Sequence, residues 1–332
     1  MYCPIAPCME DGHGIALKIN METKEQLDTA TAVGCPSETS LAGRADVCKG
    51  CPGQMLCQQQ GGADPDQEII DLRMNAIKHK ILIISGKGGV GKSSLAATLS
   101  MALAKLHPNK VGLVDVDVCG PSCPQLMAVE NQTVVNTQWG WTPLKSPLGH
   151  IKVMSVGSLL QQTDSAVVWR GPRKTQLIKR FLKDTFWGRL DCLVFDTPPG
   201  TSDEHLTVVK VLKNVNPDGA LIVTTSQLVA IATVRKEITF CRKMGLKILG
   251  VVENMSGFVC PCCQEETNLF PVGGVEELAQ EFNLKYLGKI PLDPRLTSCC
   301  EAGQSIFEEY PDSPATKALI KLAETLETCL KR

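Results

Sequence analysis

The sequence predicts an α/β protein: a mostly parallel sheet with helices on both faces, preceded by an irregular, cysteine-rich N-terminal segment. Three observations predict it. From about residue 65 onward, short apolar runs alternate with segments whose apolar residues recur at helical spacing, the pattern of a parallel sheet. Three of those runs end on acidic residues and one on a glycine-rich loop, and ligands of such sheets bind beyond the carboxyl ends of the strands. Six of the 16 cysteines fall within residues 1–66, which show no sustained periodicity. The expected division is therefore 1–66 and 67–332.

Taken in order, the first segment carries Cys3, Cys8, Cys35, Cys48, Cys51 and Cys57 among small and polar residues. It cannot build an apolar core unaided, so a metal centre is its natural organiser. Residues 65–78 place Ile69, Ile70, Leu72, Met74 and Ile77 as a short amphipathic helix leads into a strand. Residues 81–84 read as a buried strand and 93–106 as a helix. Strands follow at 111–116, 151–156, 192–195, 220–224, 248–252 and 286–290, and helices at 174–186, 204–212, 231–244 and 274–282. The last segment puts Ala315, Ala318, Leu319, Leu322, Ala323, Leu326 and Leu330 on one helix face. Its polar face mixes Lys317, Lys321, Glu324 and Glu327, without the basic bias of a membrane-surface helix, so it is expected to dock on the sheet.

Composition excludes several function classes. The 332 residues are 43% hydrophobic with a net charge of −1, which argues against a nucleic-acid-binding face. No apolar run is long enough to span a bilayer. Glu10 and Asp11 lie where a signal peptide would be apolar, so a cytoplasmic protein is expected. In a reducing compartment clustered cysteines bind metal more often than they form disulfides.

Between the first strand and its helix, Gly86-Lys87-Gly88-Gly89-Val90-Gly91-Lys92-Ser93 matches G-x-x-x-x-G-K-S, with Ser94 following. Strand, glycine-rich loop and helix are the context in which this pattern cradles phosphates. Lys92 is expected on the β/γ-phosphates and the Ser93 hydroxyl on Mg²⁺. An ordinary glycine-rich turn would share the flanking elements but not all four fixed positions. Asp196 ends the run Leu193-Val194-Phe195, the Walker B arrangement for Mg²⁺. Asp115 and Asp117, one residue apart, face the same side of an extended segment and can both point at a metal–phosphate centre; two solvated strand-end carboxylates would account for them equally well. Lys87 is not needed to cradle phosphate. It makes the loop K-G-G-x-G-K-S, which resembles the deviant Walker A ATPases, in which such a lysine reaches the partner subunit's nucleotide.

The resemblance then becomes specific. The P-loop is joined by Asp115-Val116-Asp117-Val118-Cys119-Gly120-Pro121-Ser122, Trp169-Arg170-Gly171-Pro172, Asp196-Thr197-Pro198-Pro199-Gly200-Thr201-Ser202-Asp203-Glu204-His205-Leu206 and Glu253-Asn254-Met255-Ser256-Gly257-Phe258. Together, over roughly residues 30 to 328, these resemble the Mrp/NBP family of P-loop ATPases that assemble iron–sulfur clusters. The resemblance implies that Asp117 activates the attacking water and that Asn254 contacts adenine, making ATP the nucleotide; by itself a buried asparagine at a strand end implies neither. Ser226 and Thr233 depart from the family's usual proline and aspartate, and Thr233 leaves a dimer-face or base-side contact open.

Two cysteine sets stand out. Cys35, Cys48, Cys51 and Cys57 supply four thiolates, a set that suits zinc or an iron–sulfur cluster equally by spacing. The resemblance, closest to the cytosolic scaffold branch with an N-terminal quartet, implies a 4Fe–4S cluster. The first gap is one residue shorter than usual there, which leaves Cys8 or Cys3 as substitutes for Cys35. The second set, Cys260-Pro261-Cys262-Cys263, offers Cys260 and Cys263 as the family's C-x-x-C, two thiolates towards a 4Fe–4S cluster bridging a dimer, with Cys262 extra. A redox pair or a zinc half-site would use the same residues. The other cysteines are scattered and are expected to be small buried apolar residues.

The expected protein is thus a cytosolic scaffold ATPase. It would pass 4Fe–4S clusters to cytosolic and nuclear apoproteins, as a homodimer or with a shorter paralogous ATPase, and with apoprotein-targeting factors. A zinc-binding ATPase acting as a metal chaperone, or a partitioning-type positioning ATPase, are the alternatives.

Overall fold

Apolar runs with β-branched residues form strands here because each is buried on both faces, and the central one is the longest. The computed structural model describes residues 65–159, 171–260, 262, 263, 265–270 and 272–331, together with Arg44, Asp46 and Lys49. The chain divides into two units, Met1–Asp64 and Pro65–Arg332. Of the first, the described residues show an exposed Lys49–Asp46 ion pair at 2.7 Å. Cys35, Cys48, Cys51 and Cys57 lie outside the described residues, as do Trp169 and Arg170.

In the second unit the elements are α1 (Pro65–Asn75), β1 (Ile77–Ile84), α2 (Lys92–Leu106), β2 (Val111–Asp115), α3 (Cys123–Leu126), β3 (Val135–Thr137), β4 (Gly140–Thr142), β5 (Leu144–Lys145) and β6 (Lys152–Ser155). After them come α4 (Gly171–Asp184), β7 (Leu190–Asp196), α5 (Asp203–Leu212), β8 (Gly219–Thr224), α6 (Leu228–Met244), β9 (Ile248–Glu253), β10 (Phe258–Val259) and β11 (Glu266–Thr267). The chain closes with α7 (Gly274–Glu281), β12 (Tyr286–Lys289), α8 (Pro294–Ala302), α9 (Ile306–Glu309) and α10 (Pro314–Leu330). The main sheet has eight strands in the order β12-β9-β8-β1-β7-β2-β6-β5. All pair in parallel except β5, which runs antiparallel to β6.

The period-two alternation of strand side chains splits the core into two layers. Ile81 and Ile83 join one layer with α2, α8, α9 and α10. Leu82 and Ile84 join the other with α1, α4, α5, α6 and α7. In α2 small residues such as Ala96, Ala97 and Ser100 are fully buried, letting the helix lie close against the sheet. The C-terminal helix docks as its apolar face predicts: Leu319, Leu322 and Leu326 are buried, and Ser313 caps it by accepting from the backbone N–H of Thr316 at 3.1 Å. No helix among the described residues is long and apolar enough to cross a membrane.

Every strand and helix expected from periodicity beyond residue 65 is present, with ends shifted by a few residues. The sequence pattern does not predict α3, β5, α8, α9 or the hairpins β3–β4 and β10–β11. For α8 the available signal was Asp293-Pro294, an N-cap followed by a first-turn proline; the Asp293 carboxylate accepts from the Arg295 N–H at 3.1 Å.

One buried group works against this core. Glu237 on α6 is 2% exposed, its Oε2 has no hydrogen-bond partner among the described residues, and burial pushes its carboxyl up to about 7. The folded state therefore keeps a proton that the unfolded chain releases at lower pH, so this contribution to stability is complete below the unfolded value and is lost as pH rises through about 7. Glu237→Gln is expected to flatten that dependence. Thermal melts of variant and parent should diverge in the variant's favour between about pH 5 and about pH 8.

Candidate nucleotide site

The phosphate loop links the end of β1 to the start of α2. Gly91, with φ of 78°, is the N-terminal cap, and its carbonyl accepts the first helical bond from Leu95 N at 2.9 Å. A Cβ at Gly91 would lie 2.4 Å from Asn254 Nδ2, and one at Gly86 would lie 2.7 Å from the backbone of Thr233. Glycine at both positions is thus enforced from outside the loop. A cavity of about 270 Å³ opens over the loop, lined by residues that include Lys87, Gly89, Lys92, Ser93, Asp117 and Pro199.

Beneath it sits a buried charge cluster created by strand register. Parallel pairing sets Asp115 of β2 directly beside Asp196 of β7. Both are fully buried, and Lys92 Nζ donates to Asp196 Oδ1 at 2.5 Å. Asp115 accepts from Ser155 Oγ (2.9 Å) and Cys123 N (3.2 Å) on one oxygen and from Asp117 N (3.1 Å) on the other. Burial, and then the neighbouring Asp196 charge, push its carboxyl up to about 7. Burial likewise raises Asp196, opposed by Lys92. Ligand atoms of Asp115, Cys123 and Asp196 all lie within 4.8 Å of one another. With the Ser93 hydroxyl above them, the carboxylate oxygens suit a hard divalent cation such as Mg²⁺.

Asp117 follows this cluster, half-buried, with Oδ1 accepting from the backbone N–H groups of Cys119 and Gly120 at 3.2 Å each. It lines the same cavity as the phosphate loop. Lys87 is exposed, and its ammonium has no hydrogen-bond or ion-pair partner among the described residues. Across the loop, the Gly200 N–H donates to Ser85 O at 2.8 Å, holding residues 198–201 against the site.

A second cavity, about 220 Å³, adjoins the loop and is lined by residues that include Gly91, Asn254, Pro291, Leu296 and Cys300. Asn254 is 8% exposed and donates from Nδ2 to Val90 O at 2.9 Å. With Nδ2 engaged in this way, Oδ1 is left as an acceptor beside the cavity. Sequence reasoning missed α8, which supplies one wall, and the packing of Thr233 against Gly86.

The cysteines divide by environment. Cys123, Cys192, Cys241, Cys299 and Cys300 are buried, as expected of lone cysteines, whereas Cys119 in the loop after β2 is exposed and Cys329 near the end of α10 is half-buried, against that expectation; burial pushes the Cys192 and Cys241 thiols up to about 12. Cys260 is half-buried at the end of β10, Cys262 and Cys263 are exposed in the β10–β11 turn, and Cys260 N donates to Glu265 O at 3.0 Å. Hydrogen bonds from the backbone N–H of Cys263, then from that of Cys262 and from the Cys263 side chain, hold the Cys260 thiol below its ordinary range. That is the thiolate character a metal ligand needs.

Comparison with known proteins agrees with this geometry. The ParA family model, described as NUBPL iron-transfer P-loop NTPase, matches residues 76–327. The cytosolic Fe-S cluster assembly factor NBP35 of Eremothecium gossypii is 47% identical over 304 residues, covering 90% of this chain and 91% of its own. A nucleotide-binding protein from Archaeoglobus fulgidus, solved in complex with ADP, is 37% identical with a TM-score of 0.63, over 75% of this chain and 98% of that one. The cell division ATPase MinD of Pyrococcus furiosus, 24% identical with a TM-score of 0.55, covers 75% of this chain and 98% of its own and shares the fold.

The tight fit at Gly91 makes a prediction. Gly91→Ala places a methyl group on Asn254 in a left-handed backbone conformation, and ADP affinity measured by calorimetry is expected to fall by about tenfold or more. A thermal melt separates this loss from unfolding.

Proposed function

The chain belongs to the ParA family of NUBPL-type iron-transfer P-loop NTPases, and on that premise we propose that it is a cytosolic scaffold ATPase that assembles 4Fe–4S clusters and passes them to apoproteins. The observation that carries the proposal is the exposed C-x-x-C turn, with the Cys260 thiol held low, in the same chain as a deviant phosphate loop. The cytosolic assignment follows the likeness to NBP35.

In this proposal Gly86, Lys87, Gly88, Gly89, Val90, Gly91, Lys92, Ser93 and Ser94 bind the phosphates of ATP. Lys92, now on Asp196, meets the β- and γ-phosphates, and Ser93 holds Mg²⁺ directly. Asp196 and Asp115 act on the ion through water, since the oxygens of Asp115 already accept three hydrogen bonds. Mg²⁺, when bound, neutralises charge developing on the phosphates. Asp117 orients the attacking water, and Asn254 selects adenine.

A dimer completes both sites. Two thiolates are half of what a tetrahedral cluster requires, and a two-fold axis beside Cys260 and Cys263 supplies the rest. Lys87 without a partner among the described residues, and the exposed Leu228 (74%) and Val229 (64%) just beyond the end of β8, support an interface on the nucleotide side. The partner is a second copy or a shorter paralogue. Cys35, Cys48, Cys51 and Cys57 hold a further 4Fe–4S cluster in each subunit, and apoprotein-targeting factors are further partners in delivering the cargo to apoproteins.

Anaerobic reconstitution with iron and sulfide, followed by Mössbauer spectroscopy and metal analysis, is expected to show 4Fe–4S clusters. Cys260→Ser together with Cys263→Ser should remove the bridging share alone. Stoichiometric zinc with no iron uptake would overturn the proposal in favour of a zinc-binding ATPase. Lys92→Ala and Asp117→Ala are each expected to abolish ATP hydrolysis while leaving N-terminal cluster binding intact. Hydrolysis at the parent rate in either variant refutes the role given to that residue.

A further inference from the structure

Three side chains from three elements form a chain of contacts beside the phosphate cavity. Lys174, in the first turns of α4, donates from Nζ to Glu204 Oε1 at 2.8 Å and to Cys119 Sγ at 3.0 Å. Glu204, 3% exposed, stands in the first turn of α5, directly after the loop of residues 198–202. Cys119 is exposed and sits two residues after Asp117, in the loop that follows β2.

The Asp117 carboxylate is aimed by its own loop, because Oδ1 accepts from the N–H groups of Cys119 and Gly120. Whatever fixes Cys119 therefore fixes Asp117. Lys174 grips the Cys119 sulfur from outside the loop, and Glu204 anchors the ammonium in turn. The anchor is firm: α4 and α5 are also joined by the Thr175 and Thr207 hydroxyls at 3.1 Å, and the hydrogen bonds that Lys174 donates to Cys119 and then to Glu204 hold it in its charged form. Glu204, despite the burial that would raise it, is held low by Lys174 and Ser202.

We infer that Lys174 is a positioning residue for ATP hydrolysis, a strut that holds the Asp117 loop against the helix following residues 198–202 and so sets the aim of the Asp117 carboxylate. Lys174 touches neither nucleotide nor water in this role; it acts through Cys119. The inference rests on the proposal that Asp117 orients the attacking water.

Replacing Lys174 strands the buried Glu204 charge, which by itself destabilises the fold. The decisive variants are therefore at exposed Cys119, measured by steady-state ATPase kinetics on the full chain. Cys119→Ala removes the grip, and kcat is expected to fall on the order of tenfold while KM for ATP and ADP affinity stay at parent values. Cys119→Ser keeps an acceptor for Lys174 and is expected to restore most of kcat. Combining Lys174→Met with Cys119→Ala should slow hydrolysis no further than Lys174→Met alone, because one contact is lost only once. Parent kcat in Cys119→Ala, equal loss in the alanine and serine variants, or additive loss in the pair would each overturn the strut. Asp117→Ala run alongside separates the two levels. If it hydrolyses ATP at the parent rate, the assignment of Asp117 falls; if it is inactive while Cys119→Ala is not slowed, the strut alone falls.

Discussion

Two carboxylates buried side by side at the ends of adjacent parallel strands are the constraint around which the nucleotide site is built. Register alone places Asp115 against Asp196, and a pair of buried like charges is too costly to leave unbalanced. The protein answers with Lys92 on one and a ring of hydrogen bonds on the other. Those hydrogen bonds do more than neutralise charge. Through Cys123 N and Asp117 N, Asp115 pins both ends of the loop that carries Asp117 and Cys119. Through Lys92, Asp196 draws the first residue of α2 down to the sheet, which requires the phosphate loop to turn sharply above it. The glycines then become necessary, because Asn254 and Thr233 press on that turn from the far side.

This dependence explains what was legible in the sequence. Strands buried on both faces are written as apolar runs, and their acidic ends mark the ligand side, so the order of elements and the positions of Lys92, Asp115 and Asp196 could be found without coordinates. The phosphate loop is legible because its chemistry is local: eight consecutive residues carry it. What escaped notice depends on contacts between distant segments. Val90 and Asn254 are 164 positions apart, and only their hydrogen bond shows which atom of the amide is engaged by the phosphate loop. The helix α8 escaped because Pro294–Ala302 buries chiefly two adjacent cysteines and offers no helical repeat of apolar residues. Lys174 escaped because a lysine near a helix start usually faces solvent, and nothing in its neighbours announces Glu204 or Cys119.

The cysteines show why composition was informative only after their surroundings were known. A cysteine-rich chain handling iron faces the hazard of binding it everywhere. Burial removes that hazard for Cys192 and Cys241, whose thiols are pushed up to about 12 and so remain protonated. Cys260 is treated in the opposite way, with backbone donors from its own turn stabilising the thiolate. The same residue type is thereby kept protonated in the core and given thiolate character at the surface, with no change in covalent chemistry.

The two sites also differ in the kind of ion they can accept. Around the phosphate loop the donors are carboxylate and hydroxyl oxygens, a set suited to Mg²⁺. At the β10–β11 turn they are sulfurs on a short exposed hairpin, suited to iron in a cluster. Cys123 is the point at which this separation is tested, for its sulfur lies 3.7 Å from Asp196 Oδ2 within the hard site. Burial, and then the charges of Asp115 and Asp196, push that thiol well above its ordinary range, which favours a neutral SH beside the carboxylate pair. Oxygen donors gather around the phosphate loop and sulfur donors at the β10–β11 turn, so a P-loop NTPase of the iron-transfer family holds its two kinds of donor on separate elements of one chain.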